Sequence, residues 1–320
     1  MVNQPLLIIG PDIQSHGIGG VTIHVQRLRE CLDIKGINYR FSDYKTVGFT
    51  SLLNKIFKAR IIHFHISNPF FLIILVLFAK LLNKTILLTL HGNYGRFGRL
   101  KNFMMREAIC MSTVPIVINE ESYERCRRIN KNTQFIPAFI PPQKDDFLQV
   151  KILEMVENLH MNGKKIVSTN ASTVSFDKFG NEIYGIDFLV NFFKNDNIRT
   201  LIVSDPSGNY RRRYINLQSD SVIFIDYPHP YYELLKHVDY FVRNTSTDGD
   251  AISVKEALFL GVPTFCSNVV ERPNGTVLFH YSDSKSFETC FECHCTIEKK
   301  IESGADALVS LYKKLLACAK

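Results

Sequence analysis

The sequence predicts an α/β protein of two domains, each a parallel sheet covered by helices on two faces. Three observations predict it. Apolar runs of strand length alternate with helix-period segments along the 320 residues. The alternation breaks at Phe135-Ile-Pro-Ala-Phe-Ile-Pro-Pro142, where three prolines defeat both periodicities and mark a linker. It then restarts with a fresh strand. Strands that alternate with helices favour parallel sheets buried on both sides, and the length suits two ordinary domains.

In the first half, Leu6–Gly10, Asn38–Phe41, Ile61–Phe64, Thr85–Thr89 and Val114–Ile118 read as strands. Val21, Val25, Leu28 and Leu32 form one apolar face of an intervening helix, from which Arg27, Arg29 and Glu30 point outward. Phe70 to Phe78 is an apolar run too short for a membrane span. It reads as a core helix, with a helix seated in a membrane interface as the alternative. The second half offers strands at Lys165–Thr169, Thr200–Ser204, Val222–Ile225, Asp239–Val242 and Thr264–Cys266. Ile186–Phe193 and Tyr231–His237 read as helices, and Ala305 to Cys318 is amphipathic. The expected domains are 1–142 and 143–302, with 303–320 as a terminal helix.

Composition narrows the class. With 46% hydrophobic and 22% charged residues, no tryptophan and no repeat, the chain is globular rather than disordered or fibrous. Its start lacks the pattern of a signal peptide, and eight cysteines then point to free thiols in a reducing, cytoplasmic setting. Cys290-Phe-Glu-Cys293-His294-Cys295 spells a haem-attachment pattern, but that chemistry needs export. A zinc site would need four ligands with workable geometry, and these lie almost on top of one another, so incidental cysteines are the expectation. The net charge of +7 is uneven: residues 1–150 carry 19 Lys/Arg against 10 Asp/Glu, and the rest 19 against 21. The aromatic–basic interleaving of nucleic-acid modules is absent, so the basic half points to an anionic membrane or a lipid diphosphate.

The most informative stretch runs from Asn244 to Pro263. It places Asp248 in a loop and Glu256 little more than a turn inside the next helix, which stops at Gly261. Free N–H groups of the helix start, over Gly249, Asp250, Ala251, Ile252 and Ser253, would form an anion cradle between two carboxylates. That suits a sugar nucleotide. An ordinary loop with Asp250 or Ser253 as helix cap would use the same residues.

This arrangement resembles the E-x7-E motif of the GT-B retaining glycosyltransferases, the large family 4-like group with many bacterial polysaccharide enzymes. Gly249, Glu256, Ala257 and Gly261-Val-Pro263 match; Asp248 replaces the first Glu, and Asp250-Ala251 replace Phe-Gly. The resemblance implies two Rossmann-like domains facing across a cleft that closes on two substrates, and a terminal helix crossing back to the first domain. It also implies transfer from a nucleoside-diphosphate sugar to a carbohydrate acceptor, here a lipid-linked glycan in bacterial O-antigen or capsule synthesis. The resemblance implies that neither metal nor cofactor is required. Glu256 would hold the donor ribose, Asp248 would orient the sugar, and His91, in Thr89-Leu-His91-Gly92 at a strand end, would contact the sugar in transfer.

Gly17-Ile-Gly19-Gly20 follows the first strand, where the resemblance assigns Gly19 and Gly20 to the donor diphosphate or acceptor. A dinucleotide fold is the rival, but Thr22 spoils G-x-G-x-x-G. Glu120-Glu121 could line the same cleft or cap a helix. The family's Arg and Lys for the diphosphate are missing: Tyr184 stands where Lys is expected, with Lys178 off register. Arg243 is the substitute cation, and Tyr227 could stack on the base. Asp248-Gly-Asp250 also spells the D-x-D metal motif of GT-A enzymes, though its place in a second αβ domain argues against it. A degenerate, non-catalytic binder of sugar nucleotides and a dinucleotide-dependent oxidoreductase remain as alternatives.

Overall fold

A computed structural model describes residues 6–318 apart from 18, 145, 172, 178–179, 181, 249–250 and 293–300. The chain divides into two units, Met1–Gln143 with Glu302–Lys320, and Lys144–Ile301.

The first unit runs β1 (Leu6–Gly10), α1 (Ile13–His16), α2 (Gly20–Ile34), β2 (Arg40–Asp43), α3 (Phe49–Lys58), β3 (Ile61–Phe64), α4 (Pro69–Leu81), β4 (Thr85–Leu90), α5 (Arg99–Met111), β5 (Val114–Val117), α6 (Glu120–Arg127) and β6 (Gln134–Phe135). Its sheet has the order β2-β1-β3-β4-β5-β6, with every pairing parallel. The second unit runs α7 (Val150–Met161), β7 (Lys165–Asn170), α8 (Ile186–Phe193), β8 (Arg199–Ser204), α9 (Asn209–Arg213), β9 (Val222–Ile225), α10 (Tyr231–Leu235), β10 (Tyr240–Arg243), α11 (Ile252–Phe259), β11 (Thr264–Ser267), β12 (Thr276–Phe279) and α12 (Ser284–Glu288). Its sheet is β12-β11-β10-β7-β8-β9, again parallel throughout. The last helix, α13 (Ala305–Cys318), packs Leu308 and Tyr312 against Leu6, Ile8 and Leu28 of the first unit.

Both sheets reverse their winding once. In the first the chain leaves β1 to either side, so β1 and β3 flank the switch; in the second β7 and β10 flank it. Ligands of open parallel sheets gather at the carboxyl ends of such strands. This topology positions both polar clusters described below.

Some expected elements moved. β2 begins two residues later than its apolar residues predict, because pairing with β1 continues through Ser42 and Asp43. Asp43 earns that buried place by accepting hydrogen bonds from the Ser15 hydroxyl and from Lys45 N. At the proline-rich run β6 pairs with β5, and Ile136 and Ile140 are buried in the core beneath α2 and α13, so the chain leaves the first unit only after Gln143. β12 went unanticipated, since its residues are half exposed and do not stand out as an apolar run. Asn119 caps α6, and Glu120 and Glu121 occupy its first turn, with Glu121 paired to Arg125. Among the described residues, no helix is long and apolar enough to cross a membrane.

Candidate functional site

In the second unit the motif loop leaves β10 at Arg243 and enters α11 at Ile252. Arg243 Nε donates to Asp248 Oδ2 at 2.9 Å, and its Nη2 to Oδ1 at 3.4 Å. Arg272, in the loop after β11, donates from Nη1 to the same Oδ2 at 2.9 Å. Its Nη2 reaches Thr245 Oγ1 and Ser267 Oγ, and its Nε reaches the Ser267 carbonyl. Arg243 Nη1 also donates to the Asn170 carbonyl at the end of β7. The carboxyl ends of β7, β10 and β11 therefore share one polar cluster at the switch point. Two guanidiniums meet one carboxylate, so these three side chains sum to one positive charge.

Burial opposes ionisation of Asp248, whose side chain is 9% exposed, but the two guanidiniums outweigh it and hold its carboxyl below the usual carboxylate range. Burial likewise works against the Arg243 charge, and the Asp248 carboxylate more than restores it. The ring of Tyr184 lies under Arg243, 5.0 Å from guanidinium carbon to centroid. Next to it Gly185 is left-handed (φ 61°), and an added Cβ would sit 2.3 Å from the Asn244 carbonyl oxygen. Only glycine fits there.

Glu256 is 4% exposed, in the second turn of α11. Burial, and then the nearby Glu256 charge, raise the pKa of the Tyr231 hydroxyl, which also hydrogen-bonds Ser168 at 3.0 Å. The N-cap of α11 is Ala251, which supplies no side-chain cap bond; Ser253 is buried inside the helix. The capped-helix reading therefore does not hold for Ser253. Gly249 and Asp250 lie outside the described residues, as do Lys178 and Cys293, His294 and Cys295.

The structure shows the partners of three of the expected site residues. Both oxygens of Asp248 accept from guanidiniums. Arg243 is no lone cation, because Arg272 stands with it. Nothing local in the sequence singles out Arg272, which lies 24 residues beyond Asp248. Tyr227 is half buried against a core of Leu148, Ile152 and Leu234, with its ring 6.3 Å from that of His229. Cys290 is buried in the core of its unit.

The first unit holds a second cluster. His24 comes from α2, His63 from β3, His65 from just beyond it and His91 from the end of β4. His65 Nδ1 and His91 Nε2 are 2.9 Å apart. His63 bridges Tyr312 OH at 2.5 Å and Thr89 Oγ1 at 2.7 Å, tying α13 to β4. His24 Nδ1 donates to the Ala138 carbonyl at 2.7 Å, which leaves its Nε2 a bare lone pair. That Nε2 and His65 Nε2 are buried without a hydrogen-bond partner. Burial lowers the pKa of His24 to about 4 and of His63 to about 3, and holds His65 and His91 well below 6.5. All four rings are neutral at pH 7. Ring nitrogens of His24, His65 and His91 lie within 4.8 Å of one another, a spacing a transition metal could use.

Beside His91 is a small cavity lined also by Tyr94, Arg96, Phe97 and Met105. In the glycine loop Gly17 takes the left-handed turn (φ 76°), Gly19 is extended, and Gly20 opens α2. Thr22 Oγ1 accepts from Gly19 N at 2.9 Å, closing the loop with the residue that spoils the dinucleotide fingerprint. Among the described residues beyond its chain neighbours, only Thr22 lies within 4 Å of a Cβ placed at Gly19.

No family model matches the sequence, and no curated protein does. Solved structures do match. HepE of Anabaena, solved with UDP and glucose, aligns at TM-score 0.68 and 12% identity over 96% of this chain and 94% of its own. Sucrose-phosphate synthase from Thermosynechococcus elongatus aligns at TM-score 0.65 and 16% identity over 98% and 100%. A proposed UDP-N-acetylglucosamine 2-epimerase from Listeria monocytogenes aligns at 0.66 and 10% over 98% and 96%. The fold is that of the GT-B glycosyltransferases, two Rossmann-like units with parallel sheets.

Proposed function

We propose that the chain is a retaining glycosyltransferase that moves a sugar from a nucleoside diphosphate to a carbohydrate acceptor. The observation that carries this is the Arg243–Asp248–Arg272 cluster at the switch-point strand ends, beside a helix start with no side-chain cap and the buried Glu256. Arg243, Arg272 and the α11 amides, Ala251 to Ser253, stabilise the charge that develops on the departing diphosphate. Asp248 holds the two guanidiniums in place and Glu256 binds the ribose. His91, neutral and anchored by His65, meets the transferred sugar, and Gly19 and Gly20 leave room for a substrate.

In this reaction the bond between the anomeric carbon and the diphosphate oxygen breaks. The acceptor oxygen bonds that carbon on the same face, and its proton passes to the leaving phosphate. The charge is neutralised without a metal, so activity survives EDTA. The acceptor proposed is a lipid-linked glycan of a bacterial surface polysaccharide, met at the inner face of the cytoplasmic membrane, in keeping with the basic first half.

A thermal-shift screen across UDP, GDP, ADP and dTDP tests the donor site, because a ligand of the native state raises its melting temperature. Stabilisation by none of them would sink the reading. The likeness to the Listeria protein favours one second reading, epimerisation of a sugar nucleotide. NMR of the sugar nucleotide incubated without acceptor separates the two, since only an epimerase yields the epimer.

A further inference from the structure

Helices α3 and α5 both pack against α4, and all three cover one face of the first sheet through Leu52, Leu72, Leu75 and Met105. Their outer side is not an ordinary polar surface. Phe70, Ile74, Leu77 and Leu81 are exposed along α4 at spacings of four, three and four, a single stripe running the length of the helix. Leu81 is 81% exposed. On α5, Leu100 and Phe103 are exposed as well. Both helices follow parallel strands and run back along the sheet in the same direction, so Leu100 and Phe103 lie towards the Phe70 end. At the other end the exposed Phe57 of α3 carries Lys84 over its ring, with Lys84 Nζ donating to the Phe57 carbonyl at 2.7 Å.

Charge on this stretch is one-sided. From Lys45 to Ser112 the sequence has ten Lys and Arg and one acidic residue, Glu107. Lys80 beside the α4 stripe is exposed, and so are Arg99, Lys101 and Arg106 on α5. A protein partner for so large an apolar stripe would have to bring acids to a surface that offers almost none. A bilayer with anionic headgroups supplies both requirements: acyl chains for the stripe and negative charge for its basic flanks. At 13 residues α4 is about 20 Å long, short of the ~30 Å hydrocarbon core, so it lies in the interface rather than across it.

We propose that the α3–α4–α5 face of the first unit docks on an anionic lipid surface, with the Phe70–Leu81 stripe in the acyl boundary and the basic residues at the headgroups. The proposal does not depend on sugar transfer. It would, however, bring the cavity beside His91, partly walled by Met105 of α5, close to the membrane.

Flotation of the full chain with vesicles of phosphatidylcholine alone, or of phosphatidylcholine with phosphatidylglycerol at 7:3, tests it. Strong binding only to the anionic vesicles is expected. Arg99→Glu with Lys101→Glu should weaken it by about thirtyfold or more, since each basic residue near such a surface contributes about fivefold. Leu77→Ser with Leu81→Ser should weaken it roughly tenfold or more. These side chains are exposed, so the variants keep the wild-type melting temperature; Ile74→Ser with Phe103→Ser is the replacement pair should one misfold. Equal binding to both vesicle types overturns the proposal, as does wild-type binding by either variant. A dimer in solution that Leu77→Ser with Leu81→Ser dissociates, with no vesicle binding, also overturns it and makes this face a contact between copies. A shift with UDP unchanged in these variants keeps the donor reading separate.

Discussion

Arg272 and Asp248, 24 residues apart, meet at 2.9 Å through the same carboxylate oxygen that Arg243 Nε contacts from β10. The Arg272 side chain is 2% exposed. Asp248 thus pairs two guanidiniums that would otherwise repel each other in a buried setting. It works inside the protein before any ligand arrives.

Asp248→Ala should accordingly cost stability as well as activity. Removing one partner of a buried ion pair typically costs about 3–5 kcal/mol, and here two cations lose theirs. Chemical denaturation checks this: the variant's midpoint should fall clearly below that of wild type. A midpoint within error of wild type would mean that the cluster is hydrated and contributes little.

The two arginines should discriminate charge on the ligand. Arg243→Ala and Arg272→Ala should each raise the dissociation constant for a nucleoside diphosphate far more than for the uncharged nucleoside. Calorimetric titration of the pair of ligands reads the ratio directly. Equal weakening would make these arginines structural and place the diphosphate elsewhere.

Glu256→Ala should abolish most transfer and weaken nucleotide binding without unfolding the protein. Its carboxylate is buried in the second turn of α11, outside the pairing of Asp248 with Arg243 and Arg272. Near-normal turnover by a folded variant would remove Glu256 from the site.

Acid should loosen the first unit early. In the unfolded chain each histidine takes a proton near pH 6.5, whereas His24 resists to about 4 and His63 to about 3. Between those limits the unfolded state binds more protons, so stability falls as pH drops and is level above about 7. Each such ring contributes a slope of about 1.4 kcal/mol per pH unit. Melting curves from pH 8 to 5 check it, and a level melting temperature down to pH 5 would contradict buried neutral rings.

Much of the framework was readable from residue order. Leu6–Gly10 and Ile61–Phe64 form strands at the positions where their apolar residues place them, because both are buried along their whole length in the middle of a parallel sheet. Ile186–Phe193 and the terminal helix kept their bounds, since helical periodicity is local. Edges were less legible. β2 extends into Ser42 and Asp43 because its register is set by β1, and β6 forms in a proline-rich run because β5 offers it a free edge.

The sequence by itself determined two αβ units and the loop-to-helix passage from Asp248 to Glu256, both matters of nearest neighbours along the chain. Tertiary structure alone decided what those groups face. Parallel winding brings the ends of β7, β10 and β11 together, and only that convergence sets Arg272 on Asp248 and makes its carboxylate a buried counter-ion. The same convergence at β1, β3 and β4 brings His24 of α2 and His91 at the end of β4 to His63 and His65 at the end of β3. Spacing in sequence carries no trace of such meetings, because a parallel crossover separates its contacting strand ends by a whole helix.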